Sequence, residues 1–272
     1  MSVHIEDKRK VTTHRLTEMK QRGERITMLT AYDYSMAKII DEAGIDCILV
    51  GDSASNTMLG NTTTLPITLD QMIYHARAVV NGAKRALVVV DMPFGTCSGS
   101  PRKSLEAAIR IMKETGADAL KVEGGKEIQE DVKKIIDAGI PVISHLGLMP
   151  QSINKYGTYT VRAKEQQEAE KLVSDCLLME SIGCFSILLE KIPAKLATEV
   201  TQQLKVPVIG IGAGNGVDGQ VLVIHDMLGI TQNFSPKFLR RYADLHTIMT
   251  DATQHFIRDV KAQNFPNESE SY

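Results

Sequence analysis

The sequence has no excess of either charge: 31 Lys and Arg stand against 33 Asp and Glu, a formal net charge of -2. Without a basic stripe there is nothing to hold a polyanion, which excludes nucleic acid and an anionic membrane surface as main partners. Long apolar runs are also missing. Stretches such as residues 86–90 are far shorter than the roughly 20 residues of a spanning helix, so no membrane segment is expected. The start, MSVHIEDKRK, mixes acids with bases and has no apolar centre, which argues against a secretory leader and for a cytoplasmic protein. Four cysteines, Cys47, Cys97, Cys176 and Cys184, form no C-x-x-C pair and no zinc spacing, so they read as free structural thiols.

What is present is a repeating pattern. Eight short apolar, β-branched runs recur: TMLTA from Thr27, CILV from Cys47, LVVV from Leu87, ALKV from Ala119, PVIS from Pro141, FSILL from Phe185, PVIGI from Pro207 and VLVI from Val221. Such runs suit a parallel sheet buried on both faces. Amphipathic segments lie between them, for example residues 104–115, where Leu105, Ala108, Ile109 and Met112 share one helical face. Gly44, Gly116 and Gly139 each end such a segment just before the next run, as helix C-terminal glycines do. Eight strand–helix units in about 250 residues predict an α/β fold, a (β/α)8 TIM barrel. The seventh and eighth runs are too close for a helical crossover. Either that connection is a tight turn, or residues 221–228 are helical and the eighth strand lies elsewhere. The expected organisation is an N-terminal extension (1–25) with a helix over 14–21 capping the barrel bottom, a catalytic barrel (26–263) and a disordered tail (264–272).

Barrel enzymes carry their site at the C-terminal ends of the strands. There stand Asp33, Asp52 and Ser53, Asp91, Lys121 and Glu123, His145, Glu190, a glycine segment, and His225 with Asp226. Asp52, Asp91 and Glu123 come from adjacent strands about 4.8 Å apart, so their carboxylates could converge on a hard cation such as Mg²⁺. Singly, each acid could instead cap a following helix. Lys121 is in phase with Glu123 on its strand and reads either as an anchor for a substrate carboxylate or as a structural ion pair with Asp91 or Glu123. Glu190 ends an apolar run, where desolvation makes a carboxylate a stronger base; the alternative is a surface pair with Lys191 or Lys195. His145 could assist at the site or be hydrogen-bonded structure. The segment GNGVDG (214–219) satisfies G-x-G-x-x-G, but it sits late in the chain between two β-branched runs, which excludes a dinucleotide fingerprint. Its glycines could cradle a phosphate or let a ligand approach the backbone.

Beyond these readings, the sequence resembles one family, the ketopantoate hydroxymethyltransferases. The stretches that carry the resemblance are MLTAYDY (28–34), VGDS (50–53), TLPIT (64–68), DMPFG (91–95), KVEGG (121–125), SHLGLMPQS (144–152), VIGIGAG (208–214) and DGQVLV (218–223), in family order. The resemblance implies a barrel of the phosphoenolpyruvate/pyruvate type, one Mg²⁺ per subunit at Asp52, Asp91 and Glu123, and substrate contacts from Asp52, Ser53, Asp91 and Lys121. Glu190 would be the proton acceptor. It further implies hydroxymethyl transfer from 5,10-methylenetetrahydrofolate to the 2-oxo acid 3-methyl-2-oxobutanoate, and a homodecamer. Departures fall in loops: ASNT at 54–57, Cys97, Val217 and TVRAK at 160–164. Two rival readings are a Mg²⁺-dependent enolate lyase or mutase of the phosphoenolpyruvate mutase and isocitrate lyase type, and a catalytically silent barrel kept as an assembly subunit.

Overall fold

The computed structural model describes residues 9–272; most of the N-terminal stretch read as leaderless, residues 1–8, lies outside them. Eight parallel strands close into a barrel in chain order: β1 Ile26–Thr30, β2 Cys47–Val50, β3 Leu87–Asp91, β4 Ala119–Glu123, β5 Val142–Gly147, β6 Ser186–Glu190, β7 Val208–Ile211 and β8 Gly219–Leu222. β1 pairs with β8 to complete the ring, with Met28 opposite Val221. β2 and β3 are buried at every position, because one face meets the barrel interior and the other the helices outside. Continuous β-branched runs record this double burial.

The strand period of two sorts the side chains. Cys47, Leu49, Leu87, Val89, Ala119, Ile143, Leu188 and Ile209 pack together inside the barrel. Positions two further along a strand point the same way. Asp91 therefore continues the row of Leu87 and Val89, Lys121 and Glu123 that of Ala119, His145 that of Ile143, and Glu190 that of Leu188. The apolar layers fill the lower barrel, and the ionisable groups form the next layer toward its mouth.

The bottom is closed by the helix Thr13–Gln21, one residue longer than the expected 14–21. Thr12 caps it by accepting the Arg15 backbone N–H, and Leu16 and Met19, with Val11, join the interior cluster. Gly44, Gly116 and Gly139 have φ of 92°, 75° and 87°, as helix-ending glycines require. The helix Pro101–Thr115 differs from expectation in its face: Ser104, Ala107, Ala108, Ile111 and Thr115 are buried, while Ile109 is 39% exposed. Its inner face is built of small residues because the Ser104 hydroxyl must reach Asp131, at 2.5 Å.

The seventh connection is a turn, without a helix. Residues 212–218 suffice because Asp218 staples them: its N–H donates to Val208 O (2.9 Å), and its carboxylate accepts Val208 N–H (2.8 Å). The eighth strand starts at Gly219, earlier than the run from Val221. Two glycines of 214–219 are required by close packing. A Cβ on Gly216 would lie 2.0 Å from Thr198 Oγ1, and one on Gly219 2.5 Å from Ile26 O.

The chain separates into two compact units after Val223, just past the end of β8. The second unit, Ile224–Tyr272, contains the helices Ile224–Met227 and Leu245–Lys261. The segment expected to be disordered, 264–272, carries a 3-10 turn, Glu268–Glu270, with Asn267 as its cap. All four cysteines are free; burial pushes the thiols of Cys97 and Cys184 up to about 12. Among the described residues no helix is long and apolar enough to cross a membrane.

Candidate active site

Asp52 lies just past β2, and its backbone N–H donates to Asp91 Oδ2 at 2.9 Å. This bond fixes two acids from adjacent strands side by side. Lys121 Nζ lies 3.0 Å from Asp91 Oδ1 and 3.9 Å from Glu123 Oε1, an ion pair of the kind one of its two expected readings describes. Glu123 stands opposite His145 in the β4–β5 register, and His145 Nδ1 is 3.5 Å from Glu123 Oε1. On its other side His145 Nε2 is 3.3 Å from Glu190 Oε2. The base candidate is therefore joined to the other acids through an imidazole, where the sequence suggested an isolated carboxylate. Neither Lys191 nor Lys195 pairs with it: Lys191 Nζ donates to Tyr159 O, and Lys195 lies near Glu199.

Burial governs the electrostatics. Desolvation first, then the charges of Asp91 and Glu123, hold the Asp52 carboxyl well above the usual carboxylate range. Desolvation also raises Asp91, against the counteracting Lys121 ammonium. Burial would raise Glu123 as well, yet the hydrogen bond and charge of His145 and the charge of Lys121 outweigh it and hold Glu123 low. Burial and Lys121 disfavour a charged His145, but Glu123 and Glu190 prevail and raise it to about 9. The imidazole thus lies between the two carboxylates, with Lys121 Nζ also 3.3 Å from its Nδ1. Lys121 is likewise raised by its three acids despite desolvation.

Four carboxylates face two cations, and a further cation would relieve the excess. Asp91 Oδ1 and Glu123 Oε1 are buried with no well-formed hydrogen bond, only the nearby Lys121 and His145, and the donor set is all oxygen, which fits a hard divalent ion. Asp52, Asp91 and Glu123, expected to converge on a hard ion with open positions, stand at the ends of β2, β3 and β4, and among the described residues no three His, Cys, Asp or Glu side chains form a group that could hold an ion. Glu123 is turned aside because Gln151 N–H donates to its Oε2 at 2.8 Å. Asp52 and Asp91 remain the pair available, and a hard ion bound by two carboxylates keeps positions open for water or substrate oxygens.

Ser53 Oγ shares a 2.8 Å hydrogen bond with the Tyr32 hydroxyl. Asp33, by contrast, caps the helix Tyr34–Glu42 by accepting Met36 N–H, and His225 and Asp226 belong to the second unit. Two contributors were missed, Tyr32 and Gln151. Each lies inside a family-like stretch, but neither carries a charge that would single it out. A cavity of about 540 Å³ opens beyond β5, lined by Gly147, Met149, Tyr156, Arg162 and Lys171 among others. It is not where the carboxylates meet. Its Arg162 and Lys171 are already paired with Glu168 and with Asp175 and Glu127.

Replacing His145 with Leu leaves the buried Glu123 carboxylate and the half-buried Glu190 without the imidazole between them. A loss of roughly 3 kcal/mol or more in unfolding free energy is expected by urea titration. His145→Gln, which can still donate one hydrogen bond, should lose less.

Comparison with known proteins places this geometry. The family model described as ketopantoate hydroxymethyltransferase matches residues 10–268. A 3-methyl-2-oxobutanoate hydroxymethyltransferase of Bacteroides thetaiotaomicron is 69% identical over 98% of both chains, and one of Christiangramia forsetii is 63% identical over the full length of both. Among solved structures, phosphonopyruvate hydrolase in complex with oxalate and Mg²⁺ superposes with TM-score 0.63 at 13% identity, over 95% of this chain and 93% of that one. A 2,3-dimethylmalate lyase of the phosphoenolpyruvate mutase and isocitrate lyase superfamily gives 0.62 at 17%, over 92% and 86%. At that identity the lyases and mutases share the fold alone, whereas the relatives above 60% match from end to end. The chain belongs to the ketopantoate hydroxymethyltransferase family.

Proposed function

We propose that the ring of buried ionisable groups from Asp52 to Glu190 carries out the family's reaction, transfer of a hydroxymethyl group to 3-methyl-2-oxobutanoate to give ketopantoate in pantothenate biosynthesis. The observation that carries this reading is the continuous chain Asp52, Asp91, Lys121, Glu123, His145, Glu190, whose neighbouring charged groups lie within 4 Å from Asp91 to Glu190. A silent barrel would have no use for so many desolvated charges, and each has a task in this chemistry.

The C3 proton of a 2-oxo acid is too weakly acidic for an unaided carboxylate. Mg²⁺ held by Asp52 and Asp91, with Glu123 beside them, would supply Lewis-acid polarisation of the keto group. Lys121, already at the Asp91 carboxylate, neutralises the substrate carboxylate and fixes its orientation. Ser53, oriented by Tyr32, donates a hydrogen bond to the same acid. Glu190 takes the C3 proton, and His145, 3.3 Å from its carboxylate, holds it in place. The carbanion then attacks the methylene carbon of 5,10-methylenetetrahydrofolate, breaking one of its two C–N bonds as that nitrogen takes up the proton removed from C3; water then cleaves the second C–N bond, leaving its hydroxyl on the transferred carbon and its proton on the nitrogen, and tetrahydrofolate departs.

The four free thiols support a cytoplasmic setting. The exposed Ile248, Met249, Phe256, Ile257 and Val260 of the helix Leu245–Lys261 offer apolar surface of the kind that subunit contacts cover, which supports a homo-oligomer, a decamer by resemblance. The test is incubation with 3-methyl-2-oxobutanoate, Mg²⁺ and 5,10-methylenetetrahydrofolate, followed by mass spectrometry. Folate-dependent ketopantoate is expected. Cleavage or rearrangement of the 2-oxo acid without folate would favour a lyase or mutase instead.

A further inference from the structure

Gln151 makes three contacts that the reaction scheme leaves unused. It lies in the 3-10 turn Pro150–Ser152 after β5. Its backbone N–H donates to Glu123 Oε2 (2.8 Å), and its Nε2 donates to Asp52 Oδ2 (2.8 Å) and to Met92 O (3.1 Å). One residue thus ties together the ends of β2, β3 and β4. The orientation of the amide follows from its partners. A carboxylate oxygen and a backbone carbonyl are both acceptors, so only the NH₂ end can face them. With both side-chain N–H groups engaged, rotation of the amide breaks two hydrogen bonds among buried groups.

The bond to Asp52 differs in kind from the Lys121–Asp91 pair. A lysine at this place would cancel the Asp52 charge; an amide satisfies one oxygen and leaves the negative charge intact. Asp52 Oδ2 is occupied, so Oδ1 is the oxygen left to face a ligand. Through its backbone the same residue holds Glu123 away from a direct three-acid cluster.

Resting on the reading that Asp52 and Asp91 hold a divalent ion, we propose that Gln151 is a positioning residue that sets the cation affinity of this pair, by fixing which Asp52 oxygen is presented and by keeping Glu123 at one remove. Groups that orient metal ligands typically contribute 10- to 100-fold in affinity.

The test is Mn²⁺ binding to the substrate-free protein, followed by electron paramagnetic resonance, for wild type, Gln151→Leu, Gln151→Asn and Asp52→Asn. Gln151→Leu keeps the backbone bond to Glu123 and removes both side-chain bonds; Gln151→Asn, one methylene shorter, serves if the Leu variant does not fold. A loss of about tenfold or more in Mn²⁺ affinity is expected, with a matching rise in KM for the 2-oxo acid. A folded Gln151 variant that binds Mn²⁺ as wild type does, while Asp52→Asn does not, overturns the role of Gln151 alone. A wild type that binds no Mn²⁺ overturns the metal reading, and this proposal with it.

Discussion

Glu190→Gln should abolish exchange of the C3 proton of 3-methyl-2-oxobutanoate with solvent deuterium while leaving binding of Mg²⁺ and of the 2-oxo acid near wild-type values. The replacement is isosteric, and an amide oxygen can still accept from His145 Nε2, 3.3 Å away in the wild type. The network is therefore kept and only the basic lone pair is lost. A positioned general base contributes roughly a hundred- to ten-thousand-fold, and a fall of that size in both exchange and turnover is expected. Binding is spared because Glu190 touches His145, whereas Asp52 and Asp91 sit at the other end of the chain of contacts. Exchange at the wild-type rate, measured by proton NMR in D₂O, would remove Glu190 from the base role.

Asp91→Asn is expected to lower Mg²⁺ affinity and 2-oxo acid affinity together, by roughly a hundredfold or more given that even groups behind a ligand contribute 10- to 100-fold. Asp91 does two things at once. It forms the carboxylate pair with Asp52, and it holds the Lys121 ammonium at 3.0 Å. Asn preserves the shape and can still accept the Asp52 N–H, so the barrel should fold, though less stably, since Lys121 is left with Glu123 at 3.9 Å as its near partner. Isothermal titration with Mg²⁺, then with the 2-oxo acid in its presence, separates the two effects. Normal metal affinity in the folded variant would show that Asp91 is not a ligand.

Much of this site was legible because barrel strands impose a period of two. Leu87, Val89 and Asp91 read as one inward row, and so do Ala119, Lys121 and Glu123; an ionisable residue continuing an apolar row can only face the mouth. The eight strands were legible for the same reason, as runs buried on both faces. Gln151 was not legible: its partner Asp52 is 99 residues away, and nothing local marks a neutral amide in a short turn. The linking role of His145 depended on the β5–β6 stagger, which places Gly147 opposite Glu190 and lets the imidazole reach one turn of register across. That stagger is a property of barrel closure. On the helix Pro101–Thr115 the apolar period marks Ala108 correctly, but close packing favours Ser104, Ala107 and Ile111 over Ile109.

The central claim is that the groups between Asp52 and Glu190 remove the C3 proton before any folate is engaged. The direct measurement is proton NMR of 3-methyl-2-oxobutanoate in D₂O with wild-type protein and Mg²⁺, in the absence of folate. The account predicts progressive loss of the C3–H signal that stops when the metal is chelated. A C3–H signal that persists with folded, metal-loaded protein until folate is added would contradict it.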